Sequence, residues 1–239
     1  MKILALESSG LVASVAVIED RKMVGEFTTN FKKTHSQTLL PMLDQLIRTL
    51  DMSLDEIDVI AVSKGPGSFT GLRIGSATAK GLGLALNKPL IGVPTVDALA
   101  YNLSGTEFLI CPLMDARRQQ VYTGLYDFKN GQFRVLHEQC AVPVTDIIAE
   151  INTMNRPVIF LGDGAPVYKD VIESQIRVAY QFAPAHLAYQ RAGALGVLAQ
   201  IYYENGKIET ASEHRPDYLR VSQAERELME RDSSYKPQA

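Results

Sequence analysis

The sequence predicts an α/β protein made of two halves that share one element order, βββαβαβα. Three short apolar runs separated by turn residues open the chain, and a second set of three follows residue 105. After each set, helical periodicity alternates with short continuous apolar runs, which indicates parallel strands joined by crossover helices. A chain of 239 residues with 46% hydrophobic content is long enough to bury the cores of two such halves.

The first half is predicted over residues 1–104. The segment EDRK separates its second and third strands, and Thr34 and Gln37 have the spacing of a capping box at the start of its first helix. Its predicted elements are strands at 3–6, 12–18 and 23–28, a helix at 36–50, a strand at 59–63, a helix at 70–86, a strand at 90–93 and a helix at 96–103.

The second half is predicted over residues 105–204. An Asn130-Gly131 turn between two alternating runs indicates a hairpin. Two strands precede this turn, and after it come a strand at 133–139, a helix at 144–151, a strand at 158–162, a helix at 166–174, a strand at 176–180 and a helix at 186–203. The polar tail at 205–239 is expected to fray at its end, RDSSYKPQA.

The duplicated βββαβαβα order is the plan of the actin-like (ASKHA, ribonuclease H-like) fold, in which a nucleotide lies between the halves. An acidic residue often ends the first strand of each half in that fold. Here these residues are Glu7 and Asp115. A nucleotide-binding enzyme is therefore the first functional hypothesis.

Charge and composition exclude several classes of protein. A net charge of -3 argues against a nucleic-acid coat protein, although a local basic patch stays open. The two cysteines, Cys111 and Cys140, give no metal or disulfide framework, and reduced cytosol is the simplest location. The start MKILALESSG reads as a strand and not as a signal peptide, and no run approaches the length of a membrane span.

The stretch KGPGSFTGLRIG has the glycine content of a phosphate loop but not its spacing. Neither G-x-x-x-x-G-K-[ST] nor G-x-G-x-x-G fits it. Small residues instead recur every four positions along the following helix, at Gly71, Gly75, Ala79 and Gly83. Such a stripe allows another backbone to pack closely, so packing is favoured over phosphate binding.

Two helices of the first half carry more apolar surface than one neighbour needs. Arg73, Ser76 and Lys80 form the polar arc of the helix at 70–86, with Ala77 and Leu84 beside it. The helix is either interior or lies between its own sheet and a partner. On the helix at 36–50, Leu40 and Ile47 widen the core stripe. The predicted partner-binding residues are Leu40, Ile47, Arg73, Ala77, Lys80 and Leu84.

Two turns carry candidate polar chemistry. In DARRQQ, Arg117 and Arg118 follow Asp115, and adjacent arginines suit a phosphate, as in tRNA, or a carboxylate; a salt-bridged solvated turn is the alternative. Glu7 in LESSG has the chemistry to hold a metal or water, or it simply ends a strand.

Six stretches together resemble the TsaB (YeaZ) family of bacterial tRNA threonylcarbamoyladenosine modification. They are HSQTLLPMLDQLI, GPGSFTGLRIGSATAKGLGLAL, PLIGVPTVDALA, DARRQQVYTGLY, FLGDGA and RPDYLR. The resemblance implies the actin-like duplicate and a heterodimer with the related TsaD through two helices from each chain. It also implies that this pair acts together with the small ATPase TsaE. The complex transfers threonylcarbamoyl to N6 of adenosine 37 in tRNAs that read codons beginning with A. A homodimer of the isolated chain is a further expectation.

The chain departs from its catalytic relative at a metal site. TsaD carries a His-x-x-x-His pair after the strand that corresponds to LIGV, and Thr95 and Leu99 stand there in this chain. Neither residue replaces an imidazole ligand. ATP and metal are therefore expected on the partner subunits, with no cofactor bound tightly here. The two functional hypotheses are a non-catalytic scaffold that activates TsaD, which these departures favour, and a self-sufficient ATP-dependent enzyme of the actin-like class.

Overall fold

The computed structural model describes residues 1–31 and 33–220, so the predicted frayed end lies outside the described residues. The element order of the first half is β1 (Lys2–Glu7), β2 (Ala13–Glu19), β3 (Lys22–Thr29), α1 (His35–Thr49), β4 (Val59–Gly65), α2 (Phe69–Leu86), β5 (Leu90–Pro94) and α3 (Thr95–Tyr101). The second half has β6 (Leu109–Asp115), β7 (Gln120–Lys129), β8 (Gln132–Pro143), α4 (Val144–Met154), β9 (Val158–Leu161), α5 (Gly164–Val167), α6 (Lys169–Gln175), β10 (Tyr180–Phe182) and α7 (Ala192–Glu204).

The first five strands form one sheet in the order β3-β2-β1-β4-β5. β1 runs antiparallel to β2 and parallel to β4, with Ile3 opposite Val59. Leu4 and Leu6 point to the face covered by α1 and α2, whereas Ile3 and Ala5 point to the face covered by α7. Because both faces are covered, this strand is apolar at every position from Ile3 to Leu6 and shows no alternation.

The second sheet repeats the same arrangement in the order β10-β9-β6-β7-β8. One face packs against α4 and α6, and the other against α3. The two halves therefore exchange their last helices, since α3 of the first half covers the second sheet and α7 of the second half covers the first. The predicted α/β fold with a duplicated βββαβαβα order is confirmed. The domain boundaries stay predictions.

Several element boundaries differ from the predictions for local reasons. Thr34 precedes α1 without a side-chain cap, so the predicted capping box is wrong, and its carbonyl accepts the Gln37 N–H instead. α7 begins at Ala192 and not at His186, because the Asn102 side chain holds the carbonyls of Leu187 and Tyr189 outside a helix. The helix predicted at 166–174 is split at Tyr168 into α5 and α6. The strand predicted at 176–180 is found at 180–182, since the Arg177 N–H bonds to the Asn152 side chain.

The described part of the predicted tail packs against the first half. Residues 209–220, which we call the strap, begin with a pair of backbone hydrogen bonds between Glu209 and Leu90 of β5. Further along, the Asp217 N–H donates to the Lys64 carbonyl at the end of β4. Burial of His214 shows that the strap is part of the folded structure. No helix among the described residues is long and apolar enough to cross a membrane.

Candidate functional site

The small-residue stripe of α2 packs against the molecule's own first sheet. All four residues, Gly71, Gly75, Ala79 and Gly83, are buried. A Cβ atom at Gly71 would collide with the Ser8 carbonyl, which belongs to the turn after β1. Ser68 caps the helix by accepting the Gly71 N–H at 3.3 Å. The glycine-rich stretch therefore brings α2 close to the turn that follows β1.

A second stripe, on the opposite side of α2, faces solvent. Arg73 and Ala77 are exposed, Leu84 is 69% exposed, and a side chain at Gly81 would meet open space. Leu40 on the neighbouring α1 is 52% exposed. We call the surface formed by these five residues the α1–α2 face. Its apolar members have no covering within the described part of the chain.

Three residues of the predicted polar arc and apolar edge are partly or fully covered within the chain: Ile47, Ser76 and Lys80. Ile47 is only 8% exposed and shares a core cluster with Leu43 and Ala79, because α1 and α2 pack against each other on that side. Ile47 therefore adds little exposed surface to this side of the free chain, and its assignment to a partner contact stays a prediction. Ser76 is also buried. Lys80 is half-buried, and its Nζ donates to the His214 carbonyl of the strap at 3.2 Å.

A cleft of about 450 Å³ separates the two halves beside the start of α2. Its walls are the turn after β1, the start of α2 and the turn between β6 and β7; the lining residues include Ser9, Gly10, Ser68, Phe69, Asp115, Arg117 and Asp163. The ends of the first strands of both halves, β1 and β6, therefore approach each other at this cleft.

Glu7 is enclosed behind this cleft. Its Oε1 accepts hydrogen bonds from the Ser9 N–H at 2.6 Å and the Ser63 hydroxyl at 3.2 Å, while its Oε2 has no partner. Burial raises the pKa of the Glu7 carboxyl above its usual range. Within the described ranges, no group of three or more His, Cys, Asp or Glu side chains is arranged to hold a metal ion.

The turn between β6 and β7 presents both predicted arginines to solvent. Arg117 is 85% exposed and pairs with Asp115 at 3.0 Å, and Asp115 also accepts the Tyr168 hydroxyl. Arg118 is exposed, and its side chain makes no ion pair or hydrogen bond with any described residue. The backbone has a positive φ, between 56° and 65°, at Arg117, Arg118 and Gln119. Residues other than Gly and Asn rarely adopt this conformation.

The strap reaches this turn, which the sequence analysis did not predict. The Arg220 guanidinium donates to the Ala116 carbonyl, and the Tyr218 ring lies 4.8 Å from the Phe69 ring. The Arg73 guanidinium lies over the same Phe69 ring, with its Cζ atom 4.0 Å from the ring centroid. RPDYLR and DARRQQ were both conspicuous in the sequence, but nothing in their composition indicated that they meet.

Thr95 and Leu99, at the start of α3, are both fully buried. Leu99 belongs to the core between α3 and the second sheet. Between them, Asp97 accepts hydrogen bonds from the hydroxyls of Tyr126 at 2.8 Å and Tyr202 at 3.0 Å, and burial raises its pKa. These contacts make the first turns of α3 a junction between the halves.

Comparison with known proteins places the chain in a class and then in a family. The family described as TsaD, tRNA N6-adenosine threonylcarbamoyltransferase, matches residues 22–228. A ROK hexokinase from Thermus thermophilus, 12% identical with a TM-score of 0.50, covers 86% of this chain and all of its own, and shares the actin-like fold alone.

Nearer relatives carry a more specific name. The tRNA threonylcarbamoyladenosine biosynthesis protein TsaB of Bacillus subtilis is 34% identical over 96% of this chain and 99% of its own length. YeaZ from Pseudomonas aeruginosa is 27% identical with a TM-score of 0.77, covering 91% of this chain and 99% of its own. The chain belongs to the TsaB (YeaZ) family.

Proposed function

We propose that this chain is a non-catalytic subunit of the complex that forms N6-threonylcarbamoyladenosine at position 37 of tRNA. In this proposal it binds and activates a TsaD-type transferase in the cytoplasm, and the small ATPase TsaE works with the assembled pair. The tRNA reaches the chain through the complex. ATP and the catalytic metal are held by the partner subunits.

The observation that carries this proposal is the uncovered α1–α2 face. Leu40 and Leu84 are both more than half exposed. On the same face, α2 exposes Ala77 and Gly81, which have a small side chain and none. Small residues allow a second helix pair to approach closely, and burial of exposed leucines provides the free energy of association. A four-helix contact with a related chain fits such a face. When the partner is missing, a second copy of this chain would use the same surface.

The residues at the start of α3 support a role without catalysis. The resemblance places a metal-binding histidine pair of TsaD at Thr95 and Leu99. Here Thr95 has no ligand-competent nitrogen, and Leu99 fills the core between α3 and the second sheet. Asp97 between them is engaged by two tyrosine hydroxyls, so its carboxylate already has partners.

The proposal is tested by placing charge on the α1–α2 face. The variant carrying Ala77→Glu and Leu84→Glu would desolvate two unpaired carboxylates in the contact, at a cost of several kcal/mol. We expect it to stay folded in a thermal melt but to lose association with the TsaD-family protein of the same organism, measured by size-exclusion chromatography.

A matched control carries the same charges on the second half, at the exposed positions Val135→Glu and Val167→Glu. This control should associate as the wild-type chain does. Retained association of the α1–α2 variant, or equal loss in the control, would place the contact elsewhere and remove the main support for the proposal.

A further inference from the structure

Four arginines from three distant segments meet at the mouth of the cleft between the halves. Arg117 lines the cleft, and Arg118 follows it in the same turn. Arg220 of the strap donates to the neighbouring Ala116 carbonyl. Arg73 of α2 lies over Phe69, which also lines the cleft. We call these four side chains the arginine rim. In a chain with a net charge of -3, this is a local concentration of positive charge.

The interior of the same cleft is acidic. Asp115 is only 10% exposed, and Asp163, whose side chain accepts the Asp115 N–H, also lines the cleft. Positive charge therefore lies outside and negative charge inside. A small anion that entered the cleft would face two carboxyl groups, whereas a polyanion lying across its mouth would face guanidinium groups. This arrangement favours an extended phosphate chain over a free nucleotide.

The rim is also held in place before any ligand arrives. Stacking on Phe69 and a 3.4 Å hydrogen bond to the Tyr218 hydroxyl restrict Arg73. Asp115 restricts Arg117, and the Ala116 carbonyl restricts Arg220. Of the four arginines in the rim, only Arg118 has no partner among the described residues. It lies in a turn whose backbone is strained at three successive residues. Side chains that are already ordered lose less entropy when they bind.

We propose that the arginine rim binds the ribose-phosphate backbone of the tRNA, so that the strap and the turn between β6 and β7 form one RNA-contact surface. This inference rests on the proposed function for the identity of the RNA. The contacts are to phosphates and carry no sequence preference. The rim is separate from the α1–α2 face except at Arg73, which lies at the border of both.

The test uses an unmodified tRNA transcript, the heterodimer with the TsaD-family partner, and fluorescence anisotropy over a range of salt concentrations. The variant is Arg118→Asn, because Asn tolerates positive φ and Arg118 has no contact to lose. It is combined with Arg220→Gln. We expect roughly tenfold weaker binding and a salt dependence shallower by about 0.7–0.9 in log–log slope per arginine.

Two controls make the outcome specific. Arg177→Asn removes an exposed arginine that precedes β10 and thus lies at the opposite end of the second sheet; it should leave affinity and slope unchanged. Arg118→Lys keeps the charge and should bind nearly as the wild-type chain does. Equal behaviour of the rim variant and wild type would overturn the proposal. So would displacement of the tRNA by free ATP that depends on Arg118, because the ligand would then be a nucleotide.

The same titrations are run on the full chain alone. If no heterodimer forms, the proposed function fails, but the salt slopes of the chain alone still decide whether the rim binds RNA phosphates. If the heterodimer forms and the rim variant behaves as wild type, only the present inference fails.

Discussion

At the scale of single residues, Glu7 shows how burial decides the chemistry of a group. Its carboxyl is fully enclosed, with Oε1 accepting bonds from Ser9 and Ser63 and Oε2 unpartnered. Burial disfavours the charged form more than these hydrogen bonds favour it, so the pKa is raised. An acid whose pKa is higher in the folded than in the unfolded chain takes up protons on folding. It therefore makes the fold less stable as pH rises above the unfolded value of about 4.5.

Replacing this carboxyl with an amide of the same shape should reverse that penalty. We expect Glu7→Gln to raise the free energy of unfolding at pH 7 by about 1–2 kcal/mol, because no buried charge then has to be formed. The gain should shrink as pH falls toward and below 4.5, because the wild-type carboxyl then becomes protonated in the unfolded state as well as in the fold. Urea unfolding at pH 4.5, 6 and 7.5 measures this. A gain that is constant with pH would show that folding does not raise the pKa of Glu7, and a loss at pH 7 would show that its carboxylate is stabilised in the fold; either result would contradict this account.

At the scale of elements, α2 separates two stripes that look alike in sequence. Gly71 and Gly75 are enclosed against the turn after β1, whereas Gly81 faces solvent among Ala77 and Leu84. Helical periodicity alone placed the two stripes on opposite sides. It did not reveal that Ile47 and Ser76 would be covered, because that depends on how α1 leans against α2 and not on either helix by itself.

The two stripes predict opposite effects of one substitution. Gly71→Ala would force a methyl group into the Ser8 carbonyl, and we expect it to destabilise the chain by about 2–4 kcal/mol. Gly81→Ala meets open space and replaces a poor helix former, so we expect it to stabilise the chain by about 0.5–1 kcal/mol. Paired thermal melts compare them directly. Similar shifts for both variants would mean that α2 does not pack through the Gly71 stripe.

At the scale of the whole molecule, the two halves share one topology but are not independent. Each sheet is covered on one face by the last helix of the other half, since α3 packs on the second sheet and α7 on the first. The strap adds a third connection, from β5 past α2 to the turn after β6. This exchange leaves the cleft between two coupled units and the α1–α2 face on the outside of one of them.

The sequence predicted the parts of this architecture that are repeated and apolar. Buried strands such as β1 and β4 read as continuous apolar runs, so the duplicated order of elements followed from them. The strap was not predicted, because it docks through backbone hydrogen bonds and scattered side-chain contacts such as Tyr218–Phe69, which leave no periodic pattern. The sequence indicated Arg117 and Arg118 as candidate site residues. No pattern in the sequence indicated that they would lie close to Arg220.

The central claim is that this chain activates a catalytic partner and does not catalyse the transfer itself. The most direct measurement is threonylcarbamoyl transfer to an unmodified tRNA, with ATP, the threonylcarbamoyl donor and the TsaE-family ATPase present. Reactions contain this chain alone, the TsaD-family partner alone, or both. The account predicts no transfer and no ATP turnover by the chain alone, and transfer by the pair well above that of the partner alone. Transfer or ATP turnover by the purified chain alone, or a pair no more active than the partner, would contradict it.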